Sequence, residues 1–130
     1  MNGAGLLASV AAISLGASLG ALLRWLLALR LNPLLPAFPL GTLAANLVGG
    51  YAIGLVLGWL SQHPELPPQL RLFLVTGLLG GLTTFSTFSA EVFAHLQGGR
   101  MGWALLVAGA HLLGSVVLTG LGLATVRALS

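Results

Sequence analysis

The residues with the most chemical content lie in GLLGGLTTFSTFSAE, Gly77 to Glu91. Gly80, Gly81, Thr83 and Thr84 stand where a plain lipid-spanning helix would carry Leu and Val. Glycine raises the cost of helix and lets carbonyls turn away from the axis. Phe85 and Phe88 follow at i and i+3, threaded through Thr84, Ser86, Thr87 and Ser89, and Glu91 closes the stretch. In hydrocarbon, non-helical backbone survives only where protein or a polar cavity covers it. The stretch therefore predicts a helix broken at mid-membrane, near 80–83, with Thr83 or Thr84 capping its second half. Such a break offers two kinds of site within a few ångströms. The new helix N-terminus favours an anion, and the carbonyls released before it favour a cation.

Other polar groups are few. Thr42 and Asn46 are i, i+4 on one face of GTLAANLVGGYAIG, and a buried Asn amide needs partners. Asn46 is either glue between helices or part of an ion path. His111, Ser115 and Thr119 fall at i, i+4, i+8 as one polar stripe on an apolar helix. Hydroxyls in membrane helices can bond their own carbonyls, so the stripe reads as a track for a polar solute or as a seam between subunits. Aromatics at i, i+3 on a membrane helix are ordinarily core or lipid contacts, and by themselves Phe85 and Phe88 read that way. Arg24, beside Trp25, either snorkels to the headgroups or meets a loop or vestibule.

The elements that must position these groups are membrane spans. Of the 130 residues 57% are hydrophobic and 5% charged, with a mean hydropathy of +1.03, whereas a soluble domain carries about 25% charge. Spans are expected over about 6–29, 40–60, 70–96 (with the break) and 101–126, each long enough for a hydrocarbon core of about 30 Å. Together they form a single all-α four-helix transmembrane domain. Ala12, Gly16 and Gly20 in span one, and Gly50, Gly54 and Gly58 in span two, have the small-xxx-small spacing that lets helices approach closely. Pro33, Pro36 and Pro39 make the first loop, His63 to Pro68 the second, and Gln97 to Arg100 the third.

Composition also excludes. Apolar character runs to the C-terminus, so this is no bare signal peptide. Five arginines against two acids, with no lysine, are too sparse for a nucleic-acid surface. The absence of cysteine removes thiol chemistry. No nucleotide-binding loop, acid–base pair or triad points to an enzyme. Four helices make a thin bundle, so an oligomer, most simply a two-fold dimer, is expected. Arg71 and Arg127 belong to one side of the membrane, Arg30 and Arg100 to the other. This near absence of charge bias favours insertion in both orientations and an antiparallel pair.

With these residues in place, the sequence resembles the small bacterial fluoride channels of the CrcB or Fluc family. The likeness covers GASLGALLRW, GTLAANLVGGYAIG, GLLGGLTTFSTFSAE and the span-four stripe. It implies a dual-topology antiparallel homodimer in the bacterial inner membrane, with two narrow pores that pass fluoride down its gradient. By resemblance, Phe85 and Phe88 are the pore phenylalanines, with Ser86 and Thr87 between them. Asn46 lines the pore from span two, and Ser115 and Thr119 belong to the polar track. His111 stands where an asparagine is expected. Arg24 and Glu91 match the vestibule and the path end. The carbonyls of Gly80 and Thr83, paired with those of the inverted copy, match a central structural sodium (Na+) site. The competing expectation is a small dual-topology, proton-coupled multidrug exporter, which needs an acid within a span, here Glu91. A non-transporting membrane assembly protein is the third.

Overall fold

Long apolar runs free of internal proline become helices, because in lipid each backbone N–H needs a partner within its own segment. The computed structural model describes residues Met1–Ser130. It comprises α1 (Gly3–Leu31), α2 (Leu40–Ser61), α3 (68–82), α4 (Phe85–Gln97) and α5 (Met101–Leu129). Four stretches are long and apolar enough to cross a membrane: Gly3–Leu34, Leu40–Ser61, Pro68–Gln97 and Met101–Leu129. The helices run a few residues past the spans expected from sequence. Their caps lie in the polar flanks rather than at the ends of the apolar runs, as where Asn2 accepts from the Gly5 N–H at 2.7 Å.

The third span contains two departures from α-helix. Leu72–Leu79 is π-helical, and the Gly80 N–H reaches back to the Val75 carbonyl. Such stretches are rare and concentrate at functional sites. Nothing in LFLVTGLL, apolar but for Thr76 and Gly77, announces it. The true break lies later than expected, because Gly80–Leu82 is still helical. Only Thr83 (φ −86°, ψ 155°) and Thr84 (φ −146°, ψ 118°) are extended. The pair of β-branched residues supplies the extended conformation. Thr84 then caps α4, its hydroxyl accepting from the Thr87 N–H at 3.1 Å.

Two tight helix pairs hold the break in place. α1 packs on α3 so closely that a Cβ on Gly16, Gly20 or Gly81 would strike facing backbone at Phe73, Leu78 or Ala17. α2 packs on α5 in the same way, with Gly54 against the Thr119 carbonyl and Gly122 against the Tyr51 carbonyl. Without a hydrophobic drive between helices in lipid, this backbone proximity and its dispersion contacts provide the adhesion. Tyr51 and Thr125 add a hydroxyl pair at 2.9 Å.

The loops are tied by single polar side chains. Pro39 precedes α2 and has no side-chain acceptor, so Asn32 caps α2 from the preceding loop. Its Oδ1 accepts from the Gly41 and Thr42 N–H groups at 2.8 and 3.2 Å. α4 ends in a Schellman turn, in which the Arg100 N–H meets the His95 carbonyl at 2.8 Å and Gly99 takes a left-handed φ of 71°. Arg100 Nε donates to His95 Nδ1 at 3.0 Å. A guanidinium has only donors, so His95 carries its proton on Nε2 and donates it to the Ala37 carbonyl at 2.7 Å. Trp103 stacks on the His95 ring, with centroids 6.1 Å apart. The first loop is thereby latched to the α4–α5 turn.

Candidate functional site

The extended dipeptide creates unpaired backbone groups, and their satisfaction defines the site. The Thr84 N–H that would close a helical bond to Gly80 goes instead to Asn46 Oδ1, at 2.8 Å. Asn46 Nδ2 donates to the Thr84 carbonyl at 3.0 Å. One carboxamide thus pairs with both polar groups of a residue 38 positions away, much as a neighbouring strand would. Leu79 keeps a full set, its carbonyl accepting from the Thr83 N–H at 3.0 Å and hydroxyl at 2.9 Å. Arg24 Nε donates to the Gly81 carbonyl at 3.0 Å. The contact is to the helical end of α3 rather than to a loop or a vestibule, and a cation there suits the helix dipole. No donor of the chain meets the Thr83 carbonyl.

Around this break lies a cleft of about 450 Å³ whose lining includes Asn46, Gly80, Thr83, Thr84, Phe85, Phe88, His111 and Ser115. These residues come from α2, the third span and α5. Phe85 and Phe88 meet edge to face, centroids 5.7 Å apart and planes at 75°. The Phe88 ring stacks on His111 at 4.7 Å and 23°. Phe85 is 79% exposed on the open side of the cleft. Aromatic edges carry positive potential and faces negative, so an edge-to-face pair can offer an anion a ring edge without a formal charge. No arginine lines the cleft.

The structure sorts the remaining expected residues. Ser115 lines the cleft, its hydroxyl reaching the Asn46 carbonyl only at 3.5 Å, too long to hold it firmly. Thr119 lies outside the lining, and its single hydroxyl hydrogen is shared between the Gly50 and Ser115 carbonyls, each at 2.9 Å. It bonds helix to helix. Ser86 and Thr87 also lie outside, exposed on the first turn of α4, where Ser86 Oγ is 3.3 Å from the Thr84 hydroxyl. Glu91 is further along α4, beside Thr42 and His95. Both its carboxyl oxygens are enclosed with no partner in hydrogen-bonding geometry. Glu91 is one turn beyond Phe88 on α4 and is not among the residues lining the cleft.

Sequence reasoning missed the clasp of Asn46 on Thr84 and the bond from Asn46 Nδ2 to His111 Nδ1 at 2.9 Å. The polar poverty of the spans was the signal that could have found them, because a buried amide must find partners and few exist.

The comparisons with known proteins agree with one another. The family model described as CrcB-like protein, Camphor Resistance (CrcB), matches residues 11–123. A fluoride-specific ion channel FluC of Burkholderia pseudomallei (strain 668) is 58% identical over 120 residues, covering 92% of this chain and 94% of that protein. One from Burkholderia thailandensis has the same identity and coverage. One from Thiobacillus denitrificans is 62% identical over 111 residues, 85% of this chain and 90% of that protein. With the broken third span and four apolar helices described above, these matches place the chain as a multi-pass membrane protein that belongs to the CrcB family.

Proposed function

We propose that this protein is a passive, fluoride-selective channel of the bacterial inner membrane that lets cytoplasmic fluoride escape. The observation that carries the reading is the cleft at the Thr83–Thr84 break, where a ring edge, a ring nitrogen, a hydroxyl and freed backbone share one space. Fluoride is small and strongly hydrated, so a narrow site must replace its water with tight donors. Neutral donors and aromatic edges do this without the lasting hold that a buried cation would exert. The curated relatives named as fluoride-specific channels support the choice of ion.

The working unit is an antiparallel homodimer. The cleft opens on the side where Phe85 is exposed, and lipid cannot satisfy the polar groups on its floor. An inverted second copy covers them and places two breaks face to face near the membrane centre. The balanced arginines at the two ends of the spans suit insertion both ways.

The break also fits a structural sodium ion. Gly80 and Thr83 both line the cleft, and the donor that would have closed a helical bond to Gly80 is diverted to Asn46. The two carbonyls are hard oxygen ligands free to face a cation, half of a set that the inverted copy completes. Sodium there would add a positive field at the dimer centre and brace the two breaks.

The test is reconstitution into liposomes with efflux followed by a fluoride electrode and no proton gradient. Wild type passes fluoride but not chloride, and Phe85→Ile and Phe88→Ile lose most of the flux with the dimer intact. Undiminished flux in both variants refutes the assigned path.

A further inference from the structure

We infer that His111, held by Asn46 in the neutral form protonated on Nε2, offers the ring N–H that receives the ion in the cleft, and that Asn46 is a positioning residue rather than an ion ligand. The inference rests on the fluoride-channel reading and assigns the donor within its site.

Hydrogen-bond accounting carries the argument. The orientation of the Asn46 amide is not free, because the Thr84 N–H can only donate and so demands the oxygen, Oδ1, at 2.8 Å. The nitrogen Nδ2 then faces the Thr84 carbonyl at 3.0 Å and His111 Nδ1 at 2.9 Å. An amide nitrogen has two hydrogens and no acceptor. Both hydrogens are spent, so Asn46 has none left for an ion. His111 Nδ1 must accept, and the ring's proton must be on Nε2.

That proton has no other destination. Nε2 meets no group of the chain, yet it is not among the buried polar atoms sealed off without a partner. It keeps an opening, and the ring lines the cleft. Phe88 stacks on the ring, with centroids 4.7 Å apart. The rival donors are weaker candidates, since Thr119 has committed its hydrogen to two carbonyls. The Ser115 hydroxyl, one turn along α5 and loosely held, is the remaining partner.

Histidine labelled with ¹⁵N, in protein reconstituted in lipid, reports the tautomer directly. The three histidines are separated by the loss of one set of signals in His111→Phe. Wild type is expected to show His111 protonated on Nε2, with that resonance moving on fluoride addition and unmoved by chloride. Asn46→Asp keeps an acceptor for the Thr84 N–H but offers His111 no hydrogen, so the ring proton moves to Nδ1. A lone pair then faces the cleft, and flux falls by roughly ten- to hundred-fold. His111→Gln, whose amide nitrogen can stand near the Nε2 position, recovers much of the flux that His111→Phe loses while still packing on Phe88. A wild-type ring protonated on Nδ1, or equal losses in the Gln and Phe variants, overturns the assignment while wild-type fluoride flux keeps the channel reading intact. Wild-type protein that passes no fluoride overturns the channel reading itself, whatever the tautomer.

Discussion

Replacing Asn46 by alanine removes three hydrogen bonds at once, of 2.8, 3.0 and 2.9 Å, and leaves the extended Thr84 without a clasp. Side-chain hydrogen bonds between membrane helices average about 0.6 kcal/mol, so the three together contribute about 2 kcal/mol. The orphaned Thr84 N–H costs about 1–3 kcal/mol more, because lipid offers no substitute partner. Thr84 is 9% exposed, so water has little access in the native arrangement. The sum, about 3–5 kcal/mol, corresponds to a fall of two to three decades in the population holding the break as described. Hydrogen exchange in lipid reads this locally. The Thr84 amide is expected to be protected in wild type and to exchange at least about a hundred-fold faster in Asn46→Ala, while α1 amides change little. Fluoride efflux from liposomes falls by a similar factor. Unchanged exchange at Thr84, or full flux, would refute the claim that the clasp organises the site.

Gly54→Ala drives a methyl group into the Thr119 carbonyl and forces α2 from α5, with an expected loss of about 1–3 kcal/mol in a thermal or denaturant assay. Ser115→Ala, on the cleft lining, is expected to reduce flux more than Thr119→Val, whose hydroxyl serves the helix pair; Thr119→Val instead lowers stability by about 0.6 kcal/mol. His95→Phe keeps the stack on Trp103 but loses the bond to Ala37. Its cost is about 1 kcal/mol, read as faster exchange of the Phe38 amide, which bonds the Leu35 carbonyl at 2.9 Å.

The two ends of the third span show what kind of signal a sequence carries. Gly80, Gly81 and the Thr83–Thr84 pair marked an interruption, because their conformational preferences are local and survive in any fold. They placed it a few residues early: glycine permits a break, but the β-branched threonines adopt the extended one. The π-helical Leu72–Leu79 left no mark, since its six apolar residues with Thr76 and Gly77 suit an α-helix in lipid as well as a π-helix.

Polar residues tell the same story. Asn46, His111, Ser115 and Thr119 were recognisable as exceptional from the cost of polar groups in lipid, which depends only on residue type and surroundings. Their roles were not recognisable. Asn46 is 38 residues from Thr84 and 65 from His111. Thr119 and Ser115 share one stripe, yet one hydroxyl bonds backbone and the other borders the cleft. Hydropathy and spacing determined four spans, their close-packing faces and the site of interruption, because these follow from the solvent each segment meets. Which donor met which acceptor was decided by the tertiary structure alone, because hydrogen bonds depend on directions and distances of a few tenths of an ångström that no periodicity encodes.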